Sequence, residues 1–237
     1  MKLSAIPGPQ RHTKPLVVIG VLTRNRPDIL SRTLDGIRLG MRTTLCDSRL
    51  LVWNNGSAPI ESQTHGVGHN VGQHISMNRL IDEACRLNAD YFIRVDEDCY
   101  FETRQWLAKF IRLQQKHMKL HRRPVIIGPH VKGLRNPPPA SATIKVGKYN
   151  CNISGILGGI CRMMPMPVIR YWRFDERSPM GYGEAIQFTQ FCMKCLIPML
   201  QLLDVEVSHG ESTEKQEKDN PAWSYEHDML QQVPYGL

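Results

Sequence analysis

The stretch YFIRVDEDCYF, Tyr91 to Phe101, sets three consecutive carboxylates directly after an apolar run. On an extended backbone alternate side chains face the same way, so Asp96 and Asp98 share a face and Glu97 points to the other. Two carboxylates converging at a strand end repel unless a cation lies close. A divalent Mg²⁺ or Mn²⁺ together with phosphate oxygens is the usual resolution. The plain alternative is that Asp98 caps a turn and Arg94 or a nearby lysine neutralises Asp96. Two further groups could join such chemistry. His209 follows the late apolar run LLDVEV, and an imidazole can complete a carboxylate metal site. Glu184, within GYGEA, is either a general base within reach of a hydroxyl or a helix-N-terminal carboxylate stabilised by the macrodipole.

Other candidates carry less. His65, His69 and His74 lie in or beside a glycine-rich loop with no compact helical pairing for a metal, and read as loop or ligand-contact residues. Cys192 and Cys195 form a CxxC with no second pair, which indicates packing. Gly158 and Gly159 either let backbone approach a ligand closely or make a tight turn.

These residues need elements to position them. LVVIGVLT, rich in valine and isoleucine, predicts a strand buried on both faces. RNRPDILSRTLDGIRLG follows at once, with Pro27 suited to a first helical turn, Leu30, Leu34 and Ile37 at helical spacing, and Gly40 as a stop. SRLLVW predicts a second strand, ISMNRLIDEACRL a second helix, YFIRV a third strand and PVIIGP a fourth. Thr103 is the expected N-cap of the helix between the last two. Alternation of strand and helix predicts a parallel sheet with right-handed crossovers, whose ligands lie outside the carboxyl ends of the strands. LTRNR, WNNGS and DED all fall at such ends. From Gly133 to Asn152 the composition predicts a surface excursion without regular structure. Beyond it MPVIRYW and EAIQFTQFCMKCL read as helices, and LLDVEV as a last strand.

The 237 residues suffice for one large domain with a sizeable core. No apolar run approaches the ~20 residues that cross a bilayer. The N-terminus has no apolar signal-peptide core and the seven cysteines form no framework, so a cytoplasmic location is expected. Thirty basic against 22 acidic residues give a formal charge of +8, which favours a polyanionic partner or substrate. The excess gathers in Arg24 to Arg49 and in RQWLAKFIRLQQKHMKLHRRP.

Taken in order, VVIGVLTRNRPDILSRTL, LLVWNNGS, NVGQHISMNRLIDEA, ADYFIRVDEDCYF, FDERSPMGYGEAIQF and VSHGE resemble the family-two glycosyltransferases of the GT-A fold, a Rossmann-like α/β class whose mostly parallel sheet is flanked by helices. The resemblance runs from Leu16 to Glu211. It implies a lead at 1–14, one domain at 15–211 and a polar tail at 212–237. The implied reaction moves a sugar from a nucleotide-diphosphate sugar, expected to be a UDP-sugar, to an acceptor hydroxyl, with Mn²⁺ or Mg²⁺ on the diphosphate. By resemblance, Thr23, Asn25, Arg26, Asn54, Asn55, Asn70, Gly72, Asn78, Asp96, Glu97 and Gly159 fall in donor-binding blocks. Asp98 and His209 match metal ligands, and Glu184 matches the block that carries the base.

Two departures stand out. Asn54 occupies a place where relatives commonly have Asp, which leaves the base open. Ala185 stands where many have the catalytic Asp, so Glu184 acts in a shifted register, another group serves, or the displacement is not simply inverting. The QxxRW motif of processive synthases is absent, which implies single transfers. The charge admits DNA as acceptor, through a hydroxymethylated pyrimidine, beside protein and glycan acceptors. A nucleotidyltransferase and a non-enzymatic basic nucleic-acid-binding protein are the competing classes.

Overall fold

Strand β1, Leu16–Thr23, is buried along nearly its whole length, as its unbroken apolar run requires. The computed structural model describes residues 13–56, 59–132, 140–177 and 184–210. After β1 come α1 (Pro27–Gly40), β2 (Asp47–Asn54), β3 (His65–Gly66), α2 (Gln73–Arg86), β4 (Tyr91–Asp96), β5 (Cys99–Phe101), α3 (Trp106–His121) and β6 (Ile126–Lys132). The second half adds β7 (Ala140–Val146), β8 (Tyr149–Ser154), β9 (Cys161–Pro165), α4 (Met166–Ile169), α5 (Glu184–Lys194) and β10 (Met199–His209). The Gly181–Gly183 part of GYGEA, and the lead and tail beyond the stated limits, lie outside the described residues.

All ten strands belong to one sheet, ordered β3-β2-β1-β4-β9-β6-β10-β8-β7, with β5 paired to β10. β3, β2, β1, β4, β6 and β10 run the same way. β9 runs against β4 and β6 between them. Alternation along β1 splits the core. Val17, Ile19 and Val21 pack on one face with α1 and α3, while Leu16 and Val18 pack on the other with α2, α4 and α5. α1 comes very close to α3: a Cβ on Gly40 would lie 2.2 Å from Trp106 Nε1, which itself donates to the Gly36 carbonyl at 3.2 Å.

Two expectations are corrected, and one strand had no sequence expectation. The stretch before Asn152 is not a structureless excursion. Its described part forms the β7–β8 hairpin, whose outer strand β7 is exposed over most of its length and buried at Val146, as suits a sheet edge. Thr103 does not cap α3, because Gln105 holds the N-cap position and Thr103 Oγ1 accepts the Glu206 amide at 3.0 Å. CRMMP, given no element from its sequence, is the buried strand β9.

Candidate functional site

The acidic trio is not extended. β4 ends at Asp96, and Glu97 and Asp98 form a turn into β5. Strand alternation therefore does not hold past Asp96, and Glu97 turns inward. Its carboxylate accepts from the Thr23 hydroxyl, from the Arg24 amide at 3.0 Å and from Arg26 Nε at 2.6 Å, with Arg26 Nη2 also 2.5 Å away. Its carbonyl accepts from Thr33 Oγ1 at 2.6 Å. One buried glutamate thus ties the loop after β1 to the turn after β4. Thr23, Arg26 and Glu97, which the resemblance puts in donor-binding blocks, meet here and hold one another.

Asp98 is 4% exposed and belongs to the same turn. Its Oδ1 lies 3.6 Å from His209 Nε2 and its Oδ2 3.8 Å from Arg26 Nη2. The β5–β10 ladder makes this meeting: His209 registers with Cys99, and the Gly210 amide donates to the Asp98 carbonyl at 2.7 Å. Burial holds the Asp98 carboxyl above its ordinary range. His209 and Arg26 pull it down, while Asp96 and Glu97 push it up. A desolvated carboxylate beside an imidazole is a mixed oxygen and nitrogen donor set, which Mn²⁺ accepts more readily than Mg²⁺, whose ligands are oxygens. Among the described residues no group of three or more His, Cys, Asp or Glu is placed to hold a metal. A cation here would take the rest of its shell from a bound ligand and water.

Behind the turn lies a buried ion cluster. Arg94 on β4 and Arg162 on β9 are 1% and 0% exposed and directly opposite in the ladder. Glu184, 5% exposed at the start of α5, pairs through Oε2 with Arg94 and through Oε1 with Arg162. Arg94 Nη2 reaches on to Asp96 Oδ1 at 2.8 Å, and Gln73 Nε2 donates to Glu184 Oε2 at 3.3 Å. Arg162 also lies over the Phe188 ring, 4.4 Å from its centroid. Gly159 is pressed against the cluster: a Cβ there would meet Arg94 Nη1 at 2.7 Å and Glu184 Oε2 at 2.9 Å. Arg162 and Gln73 were missed from the sequence, and Arg94 was foreseen only as a neutraliser of Asp96, which it is. The available signal was a cation inside each of two apolar runs, FIRV and ICRMM.

The asparagines divide. Asn54 Oδ1 accepts the Gly56 amide at 2.8 Å and its Nδ2 donates to Gln63 at 2.9 Å. Asn55 donates to Asn70 at 2.7 Å and accepts from the Val71 amide at 2.9 Å, so the strand-end segment and the loop before α2 are locked together. Asn25 sits at φ 55° against Gly56, and Gly72 at φ 93° opens α2 with space around it. Asn78 is elsewhere in role. It accepts the Phe174 amide at 2.9 Å and donates to the Phe174 carbonyl and Glu176, holding the 174–176 segment to α2. His65 stacks on Trp53 and His74 on Phe174. Cys192 is buried, its thiol pushed up to about 12 by burial, as packing implies.

The sequence matches no protein-family model and no curated protein. Solved structures do match. GalNAc-T7, crystallised with UDP, GalNAc and Mn²⁺, is similar with a TM-score of 0.62 at 10% identity, over 84% of this chain and 44% of that one. The mannosyltransferase PcManGT from Pyrobaculum calidifontis, in complex with GDP-Man and Mn²⁺, is similar with a TM-score of 0.58 at 12% identity, over 90% of this chain and 61% of that one. The chain has the GT-A fold. It spans less than two thirds of the length of either of these structures. Within this GT-A sheet the Asp98–His209 pair, the loop after β1 and the Asn55–Asn70 lock all lie at the strand ends where an open α/β sheet takes its ligands. No helix among the described residues is long and apolar enough to cross a membrane.

Proposed function

We propose that this chain is a metal-dependent glycosyltransferase that takes a nucleotide-diphosphate sugar, a UDP-sugar first among them, as donor. The observation that carries the reading is the buried Asp98 carboxylate 3.6 Å from His209 at the strand-end turn. Asp98 and His209 would hold Mn²⁺ or Mg²⁺, which when bound neutralises charge on the departing diphosphate. The bond from the anomeric carbon to the diphosphate oxygen breaks, and one to the acceptor hydroxyl oxygen forms. The loop of Thr23, Asn25 and Arg26, held by Glu97, and the Asn54–Asn55 and Asn70–Gly72 segments form the walls that orient the nucleotide. Asp96, fixed by Arg94, faces the sugar end of the same cleft.

We assign Glu184 a positioning role in place of the general-base role its sequence block suggests. A base must reach the acceptor hydroxyl, and both oxygens of Glu184 are already engaged by buried guanidinium groups. Its work is to set the start of α5 against Arg94 and hence against Asp96. The acceptor proton then goes to the departing diphosphate oxygen or to another base. The acceptor we favour is a hydroxymethylated pyrimidine in DNA, in keeping with the charge of +8.

The test is a thermal-shift screen of UDP-, GDP-, CMP- and dTDP-sugars, each with and without Mn²⁺. A donor at about 100 times its Kd stabilises by about 2.7 kcal/mol. That is roughly 5–10 °C for a chain of this size. The expected result is a metal-dependent shift with a UDP-sugar. Absence of any shift across the donor set with Mn²⁺ would overturn the reading.

A further inference from the structure

We infer that the outer face of α3, together with the β7–β8 hairpin, is a docking surface for a nucleic-acid phosphodiester backbone. α3 lies on the sheet face opposite α2 and buries Trp106, Leu107, Phe110, Ile111 and Leu113 in the core. Outside, beside the exposed Met118 and Leu120, runs a line of cations. Arg112, Lys116 and Lys119 recur at intervals of four and three, which puts them in one row along the helix, and all are exposed. From Trp106 to Arg123 the sequence holds no Asp or Glu to neutralise them.

The hairpin extends the row sideways. Its Lys145 and Lys148 are exposed. Its turn lies on α3: a Cβ on Gly147 would meet Lys116 Cε at 3.1 Å. Between helix and hairpin is a cavity of about 280 Å³ lined by Gln105, Lys109, Arg112, Lys148, Tyr149 and Asp204. The one carboxylate in it, Asp204, accepts the Asn150 amide at 3.0 Å through Oδ2, while its carbonyl takes Lys109 Nζ at 2.6 Å. Arg112 and Lys148 therefore face the cavity from opposite walls with the local acid already engaged.

The chemistry that fits is a row of phosphates with a pocket for one group. Arg112 to Lys119 covers about 10 Å of helix axis at 1.5 Å per residue. Along the axis of a duplex that length spans about three base pairs at 3.4 Å each. A concave seat between two elements suits a polymer backbone better than the flat face of a bilayer. The surface bears on the transferase reading only through its acceptor, and binding is measured without donor, so the two stand or fall separately.

The experiment measures fluorescence anisotropy of a labelled DNA duplex of roughly 20 base pairs from about 50 to 200 mM NaCl. It compares wild type, the triple variant R112A/K116A/K119A, and a control, R79A/R86A/R170A, that removes the same charge from α2 and the end of α4 on the opposite layer. Wild-type affinity should fall linearly in log–log form. The α3 variant should lower the slope by about 3 and weaken binding about 10-fold or more at the lowest salt. The control should keep the wild-type slope to within about 1. Equal effects of both triples would mean diffuse attraction by net charge and would overturn the proposal. So would wild-type protein that ignores DNA but binds vesicles containing phosphatidylserine. An unchanged melting temperature and far-UV circular dichroism spectrum in the α3 variant show that the fold is intact.

Discussion

Arg94 and Arg162 are register partners in the antiparallel β4–β9 ladder, two like charges directly across from one another in the interior. Like charges so placed are destabilising. Glu184 lies between them and pairs with both, and Asp96 takes the outer side of Arg94. The sheet can carry two cations at its centre because the first residue of α5 brings a carboxylate to them.

Replacing Glu184 by Gln leaves two buried guanidinium groups short of a counter-charge. Breaking a buried pair of this kind costs about 3–5 kcal/mol. The expected outcome is a correspondingly lower unfolding free energy in urea, with most lost activity traced to lost folded protein. A general base would behave otherwise: kcat would fall about 10²–10⁴-fold at unchanged stability. That second pattern would remove the positioning role.

Gly158 and Gly159 give a sharper pair. A Cβ at Gly159 collides with the Arg94–Glu184 contact, whereas at Gly158 nothing lies within 4 Å. Gly159→Ala is expected to lower stability by about 1–3 kcal/mol through overpacking. Gly158→Ala should stay within about 0.5 kcal/mol of wild type. Equal melting temperatures for the two variants would contradict the packing of Gly159 on the cluster.

The first half of the fold was legible because each element carries its own period. β1 is a run rich in valine and isoleucine, and Leu30, Leu34 and Ile37 mark the buried stripe of α1. The Asp98–His209 pair was legible in its parts, since each residue follows an apolar run. The ion cluster was not. Arg94, Arg162 and Glu184 are distant in the chain, and only the insertion of β9 between β4 and β6 joins them. Asn78 shows the converse, a polar residue in a familiar block whose amide is used to hold Phe174. The β7–β8 hairpin escaped because the edge strand β7 is exposed over residues 140–143, where its apolar signal is weak.

Glu97 predicts a mechanical effect on the cleft. Gln in its place presents an amide N–H₂ to the Thr23, Arg24 and Arg26 donors. Arg26 is one-third exposed, so solvent screens part of the loss. A fall of about 1–3 kcal/mol in stability is expected. The loosened loop should also raise KM for the donor more than it lowers kcat. A kcat effect at constant KM would place Glu97 in the chemical step instead.

Asp98 makes the last prediction, and its sign follows from its surroundings. Burial holds its folded pKa above the unfolded value. The stability tied to its protonated form is therefore fully present below the ordinary carboxylate range and is lost as pH rises through the raised folded pKa. In EDTA, melting temperature measured from pH 4 to about 7 should show this loss in wild type and not in Asp98→Asn, which carries no charge. With Mn²⁺ and a UDP-sugar the order reverses. Wild type should gain stability as the cation offsets the buried charge, while Asp98→Asn loses the metal-dependent shift and about 10²-fold or more in turnover. Metal-dependent stabilisation of Asp98→Asn equal to that of wild type would show that the cation is held elsewhere.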